Sequence, residues 1–208
     1  MRVIEETPPD PEDDPQPVPA VAPWLRRHRL LAPILALVAA GVAARTGAHP
    51  EVAAHVVAAI GLVVLSVIDL DLFLLPKRLV YPLFGATFGL LVVAAAVHGD
   101  GTALQRALLG SLGAWGALFV LHIVSPAGMG FGDVRLALLL GLDLGWLGAR
   151  QVFFGIFVGF ILAAVIGLLL LVTRKRGRRD AVPFGPFLAA GTLFVLLGGD
   201  ALAGLTRG

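Results

Sequence analysis

The run VFFGIFVGFILAAVIGLLLLVT, residues Val152–Thr173, holds no charged side chain. A bilayer's hydrocarbon core is ~30 Å thick and takes about 20 helical residues, with a usable range of roughly 17–25. The run fits that span. Toward the carboxyl end one further apolar stretch follows, Phe184–Leu205. Toward the amino end lie Val134–Leu147, Ala103–Val124, Leu79–Val97, Val52–Ile68 and Leu30–Ala44. Most are long enough to cross. The first is short, although Trp24 and Leu25 extend its interfacial end, and Val134–Leu147 is short with Asp143 near its far end. Seven transmembrane helices are predicted, with six or eight as alternatives.

Composition agrees with an all-α polytopic membrane protein. Of 208 residues 58% are apolar and 14% charged, and the mean hydropathy is +0.90. A soluble domain of this size could not solvate such a surface. Cysteine is absent, which excludes disulfides, thiol nucleophiles and cysteine-ligated zinc. Residues 1–23 differ from the rest: seven of the 14 prolines and six of the 14 acids lie there, against one basic residue, Arg2. Proline removes backbone donors and like charges repel, so this segment is expected to be an extended, disordered tail ahead of a membrane domain over 24–208. The first apolar run follows that tail, and Ala43-Ala44-Arg45 is a poor cleavage site, so it reads as a retained helix.

Basic residues set the orientation. In a seven-helix arrangement Arg2, Arg26, Arg27, Arg29, Lys77, Arg78, Arg135, Arg174, Lys175, Arg176, Arg178 and Arg179 share one side. Arg45, Arg106, Arg150 and Arg207 share the other. Loops rich in lysine and arginine stay in the cytoplasm, which places the amino terminus and the first set there. The Arg174–Arg179 cluster is an anchor of that topology and a candidate contact for anionic lipid headgroups.

Two acids meet on the basic side. The second run ends in Ile68-Asp69-Leu70-Asp71, and Asp133 opens the fifth after Gly128-Met129-Gly130-Phe131-Gly132. Ionisable groups beside membrane segments are costly and usually functional. Gly130 and Gly132 lack a Cβ, so the backbone is free and another chain can come close. Two carboxyls converging in a poorly solvated cleft share one proton, which leaves one neutral and one charged. Such a pair can polarise a water and protonate a leaving amine, the chemistry of aspartyl peptide hydrolysis. It titrates as a unit, so neither acid is singled out as the base. Taken singly, each acid has a plainer reading as an interfacial residue or helix cap.

Ile68-Asp69 with Leu75-Pro76, and Gly130-Phe131-Gly132-Asp133-Val134-Arg135-Leu136, resemble the two signature segments of type IV prepilin peptidases, membrane aspartyl proteases of the G-x-G-D group. Pro183-Phe184-Gly185-Pro186-Phe187 resembles a third family segment. The resemblance spans about residues 55–195. It implies Asp69 and Asp133 as the catalytic pair, and Gly130 and Gly132 shaping the substrate approach. It also implies a cleft lining from Pro183, Gly185 and Pro186. The implied reaction removes the leader of prepilin or pseudopilin-like precursors at the cytoplasmic face of the bacterial inner membrane, with no cofactor, metal or nucleic acid. Bifunctional family members carry a cytoplasmic insertion with paired cysteines and amino-methylate the new terminus; this chain has no cysteine, so peptidase without methyl transfer is expected. Lys77 stands where Asn or Asp is common, and Arg135 where Lys is usual.

Other candidates rank below these. Asp71 lies two residues from Asp69, turned roughly 200° around a continuing helix, and the spacing to Pro76 favours Asp69. Asp143 is read as structural, near the outer interface. His28, His49, His55, His98 and His122 show no H-E-x-x-H spacing, and Ser66, Ser111 and Ser125 no G-x-S-G context, so zinc and serine intramembrane proteases are disfavoured. Two rival functions stand beside the peptidase. A small proton- or cation-coupled transporter would use Asp69, Asp133 and Asp143, but expects midplane acids and an internal repeat that the sequence does not display. A silent scaffold binding pilin-type helices would have no need of both acids and both glycines.

Overall fold

The computed structural model describes residues 28–99, 101–126, 129–173 and 183–205, the last stretch with side chains as far as 198. The described residues form seven α-helices and no strand. They are α1 (Leu31–Thr46), α2 (Val52–Leu72), α3 (Lys77–His98), α4 (Thr102–Val124), α5 (Phe131–Leu147), α6 (Ala149–Val172) and α7 (Gly185–Leu205). Helices α2, α3, α4 and α6 are long and apolar enough to cross a membrane; α1 and the Gly185–Gly198 stretch are shorter apolar helices. The acidic segment 1–23 and the Arg174–Arg179 cluster lie outside the described residues.

Each of the seven apolar runs became a helix, with ends displaced by up to four residues, and two of the displacements bear on the acids. Helix α2 continues to Leu72, so Asp69 and Asp71 are within its last turn. Helix α5 starts at Phe131, which puts Asp133 third in its first turn. Both acids are therefore held by helical backbone.

Helices α6 and α5 occupy opposite environments. Helix α6 turns Phe153, Phe157, Val165 and Leu168 outward, a surface suited to lipid and costly in water. Helix α5 is buried along almost its whole length and packs against α2, α3, α4, α6 and α7. It is the axle of the bundle.

Glycines let the neighbours of α5 come close. A Cβ on Gly110 of α4 would sit 2.6 Å from the Gly141 carbonyl oxygen of α5, and one on Gly145 would sit 2.8 Å from the Arg106 carbonyl oxygen. Between membrane helices there is little hydrophobic drive, so association depends on such backbone approach. Ser111 adds a hydrogen bond to the Leu138 carbonyl at 2.8 Å. In the same way Gly155 and Gly159 of α6 lie against Gly191 and Leu188 of α7. Gly141→Leu should therefore push α4 and α5 apart. The neighbour is backbone, which cannot swing aside, so the cost should reach or exceed the about 1–3 kcal/mol of ordinary core overpacking. A lowered thermal midpoint in detergent would show it; an unchanged midpoint would mean this interface is looser than described.

The helices alternate in direction, and the charges follow. Arg29, Lys77, Arg78 and Arg135 fall at the end that holds Asp69 and Asp133, whereas Arg45, Arg106 and Arg150 fall at the other.

Candidate active site

Asp69 owes its position to the way α2 stops. Phe73 caps the helix in the left-handed region, φ 53° and ψ 32°, and its N–H donates to the Asp69 carbonyl at 2.8 Å. A bulky residue there is strained, and the chain turns at once into Leu74-Leu75-Pro76, where Pro76 caps α3. Asp133 is placed by the opposite kind of helix end. Gly130 caps α5 in an extended conformation. Its carbonyl accepts from the Asp133 N–H at 3.1 Å, and its backbone N–H faces the Asp133 carboxyl. A third-position acid that reaches back to the cap residue satisfies a donor that the helix leaves open.

Leu75 brings the three segments together. A Cβ on Gly132 would lie 2.9 Å from Leu75 Cβ, and one on Gly185 would lie 3.2 Å from Leu75 Cδ1 and 2.7 Å from Asp69 Oδ2. The buried Leu75 is thus wedged between the starts of α5 and α7, with both acids beside it. Asp69 is 5% exposed and Asp133 6%, and the charge of Asp69 acts on Asp133. Asp69 Oδ2 has no hydrogen-bond partner among the described residues. Two carboxyls from distant parts of the chain therefore converge at one end of the bundle, shielded from solvent.

A profile of the type IV leader peptidase family matches residues 56–172. The chain belongs to that family. It is 32% identical over 184 residues to a prepilin leader peptidase/N-methyltransferase of Aeromonas hydrophila, covering 87% of this chain and 61% of that protein. To the protein so named in Pseudomonas aeruginosa it is 31% identical over 179 residues, 85% of this chain and 60% of the relative. To that of Stutzerimonas stutzeri it is 33% identical over 144 residues, 68% and 48%. The chain thus spans about half to three-fifths of the length of the curated relatives it matches. No solved structure matches it.

In this type IV leader peptidase family member the G-x-G-D glycines take different surroundings. Neither needs a left-handed backbone, which among the described glycines occurs at Gly47, Gly99 and Gly148. Gly132 is filled by Leu75 of the same chain. Gly130 is exposed, and among the described residues a Cβ there would meet only Asp133 Oδ2 at 3.6 Å and Gly132 N at 3.9 Å. Among the described residues, open space therefore lies beside Asp133 on the Gly130 side. Gly185 is buried against Asp69, while Pro183 and Pro186 flank it half-buried. Proline in the first turn of α7 sacrifices no helix hydrogen bond.

Supporting contacts were not legible in the sequence. The His122 Nδ1–H donates to the Met129 carbonyl at 2.8 Å, tying the end of α4 to the loop before Gly130. His122 and Phe119 meet the Phe131 ring edge-on, at 5.5 and 6.5 Å. The Arg135 guanidinium lies 4.6 Å from the centroid of that same Phe131 ring, an attraction between cation and ring face.

The remaining candidates separate cleanly. Asp71 is turned from the pair and bonded to His28, Nε2 to Oδ2 at 2.8 Å. Asp143 lies at the opposite end of α5, fully buried and bonded to His55; His55, far away in sequence, supplies its partner within the bundle. Among the described residues no group of three metal-ligating side chains converges.

Proposed function

We propose that the protein is a membrane-embedded aspartyl endopeptidase that removes the leader of type IV prepilin or pseudopilin-like precursors, with Asp69 and Asp133 as its catalytic pair. The observation that carries this is the convergence of those two buried acids, from α2 and α5, at one end of a leader peptidase family bundle. In the reaction the charged carboxyl takes a proton from water while the neutral one hydrogen-bonds the scissile carbonyl. The hydroxyl adds to the carbonyl carbon, a proton passes to the amide nitrogen, and the C–N bond breaks to release acid and amine. The shared proton returns to the pair. Gly130 and the open space beside it would admit the extended peptide, and Gly185 would line the cleft by Asp69.

The basic residues at the acid end, Arg29, Lys77, Arg78 and Arg135, support a cytoplasmic active site in the bacterial inner membrane. The absence of cysteine supports peptidase activity without methyl transfer, which the curated relatives' names add. Reconstituted protein, incubated with candidate prepilins and followed by sequencing and mass analysis of the new amino termini, tests the cleavage and the lack of methyl transfer. Cleavage directly after the glycine that precedes the apolar segment, with a free unmethylated amine, is the expected product. A pilin left intact, or cut elsewhere, would overturn the reading.

A further inference from the structure

Helices α2 and α5 carry one member each of the Asp69–Asp133 pair, and at their other ends they are joined again. His55 of α2 and Asp143 of α5 are both fully buried, and the His55 Nδ1–H donates to Asp143 Oδ1 at 2.7 Å. Neither has a second tie: His55 Nε2 and Asp143 Oδ2 find no hydrogen-bond partner among the described residues. Each side chain is therefore oriented polar atom to polar atom by the other alone. Fourteen residues separate His55 from Asp69, about 21 Å of rise and only about 40° from whole turns, so both lie on one face of α2. Asp143 stands about 15 Å above Asp133 along α5.

The tie matters because these two helices touch each other sparingly. Helix α5 packs chiefly on α4, and α2 on α1, α3 and α7. Apolar packing alone leaves such a pair free to slide or turn by small amounts, since one leucine surface resembles the next. A buried hydrogen bond with fixed partners admits one register, and an unpartnered buried carboxyl is costly enough to hold it there. At the far end a shift of about 1 Å between reacting groups can cost on the order of 100-fold in rate.

We propose that His55 and Asp143 are positioning residues whose buried bond sets the register of α2 against α5, so that Asp69 and Asp133 meet at the opposite end. The proposal rests on the peptidase reading, and its test separates the two. In His55→Asn the amide nitrogen takes the place of Nδ1 and the bond is kept. In His55→Gln and His55→Phe it is lost. The double variant His55→Leu/Asp143→Leu replaces the pair with apolar packing, which often restores or raises stability. Leader cleavage should stay within about 3-fold of the parent in His55→Asn. It should fall on the order of 10–100-fold in kcat, with KM little changed, in the other three. The double variant should regain the parent's thermal midpoint without regaining kcat.

The absence of cysteine permits an activity-free readout as well. Spin labels introduced by Phe73→Cys and Gly130→Cys should give a narrow distance distribution in the parent and in His55→Asn, and a broader or displaced one in His55→Gln. If kcat and label distance follow thermal midpoint alone through the series, or His55→Gln matches the parent in both, the pair is a fastening and the positioning role falls. If no variant, parent included, cleaves a leader, the peptidase reading falls, and the label distances still decide whether the pair sets the register.

Discussion

Asparagine in place of Asp69, or of Asp133, is expected to lower leader cleavage by at least about 1,000-fold while the protein still inserts and folds. Asparagine has the shape of aspartate, and at position 133 its oxygen can still accept from the Gly130 amide that faces the side chain. The cap of α5 is therefore kept. What is lost is the exchange of a proton: a carboxamide can neither take one from water nor give one to the leaving amine. General acid–base groups typically contribute about 10²–10⁴-fold each, and a pair that shares one proton works as a single device. The double variant should therefore be no slower than either single one, the non-additivity expected of groups acting together. Asp71→Asn is the control. Its side chain is engaged with His28 and points away from the pair, so most of the activity should remain. Parent-like cleavage in both Asp69→Asn and Asp133→Asn, measured by release of the mature pilin, would end the assignment of the pair.

Much of this was legible because lipid is an undemanding reader of side chains and a strict reader of backbone. Any run of some twenty apolar residues must satisfy its amides internally, so the seven runs translate into seven helices with ends displaced by only a few residues. The same indulgence hid the interior. Leucine is as welcome in lipid as in protein, so the apolar residues did not tell the buried α5 from the lipid-facing α6; only the charges of α5, Asp133, Arg135 and Asp143, set the two apart. Small residues four apart, Gly141 with Gly145 and Gly155 with Gly159, were the available signal, since glycine on a membrane helix marks close backbone approach. Asp69 and Asp133 stood out because charge at a membrane span is expensive. His55 did not, because one histidine in an apolar run has no partner until folding brings Asp143 to it. Leu75 was legible only as part of a motif; its place as the wedge between the starts of α5 and α7 exists in three dimensions alone.

The glycine beside Asp69 provides the second decisive experiment. Gly185→Ala adds a methyl group that would lie 2.7 Å from Asp69 Oδ2 and 3.2 Å from Leu75 Cδ1. Alanine is a better helix former than glycine, and Gly185 opens α7 without a left-handed backbone, so local propensity favours the change. Stability should hold or rise slightly. The carboxyl group, short and rooted in the last turn of α2, must rotate or retreat from the methyl, and with it the distance to Asp133. Cleavage should fall on the order of 100-fold, in keeping with a displacement near 1 Å at the reacting atoms. Gly132→Ala should behave alike for another reason, since its methyl would meet Leu75 Cβ at 2.9 Å, an atom fixed to backbone. Gly130→Ala separates fold from substrate: φ is −67° and the methyl would meet no described atom closer than 3.6 Å, so stability should hold while KM rises as the peptide loses room beside Asp133. A Gly185→Ala protein that folds normally and cleaves at the parent rate would mean that Asp69 does not rest against the start of α7 when it acts.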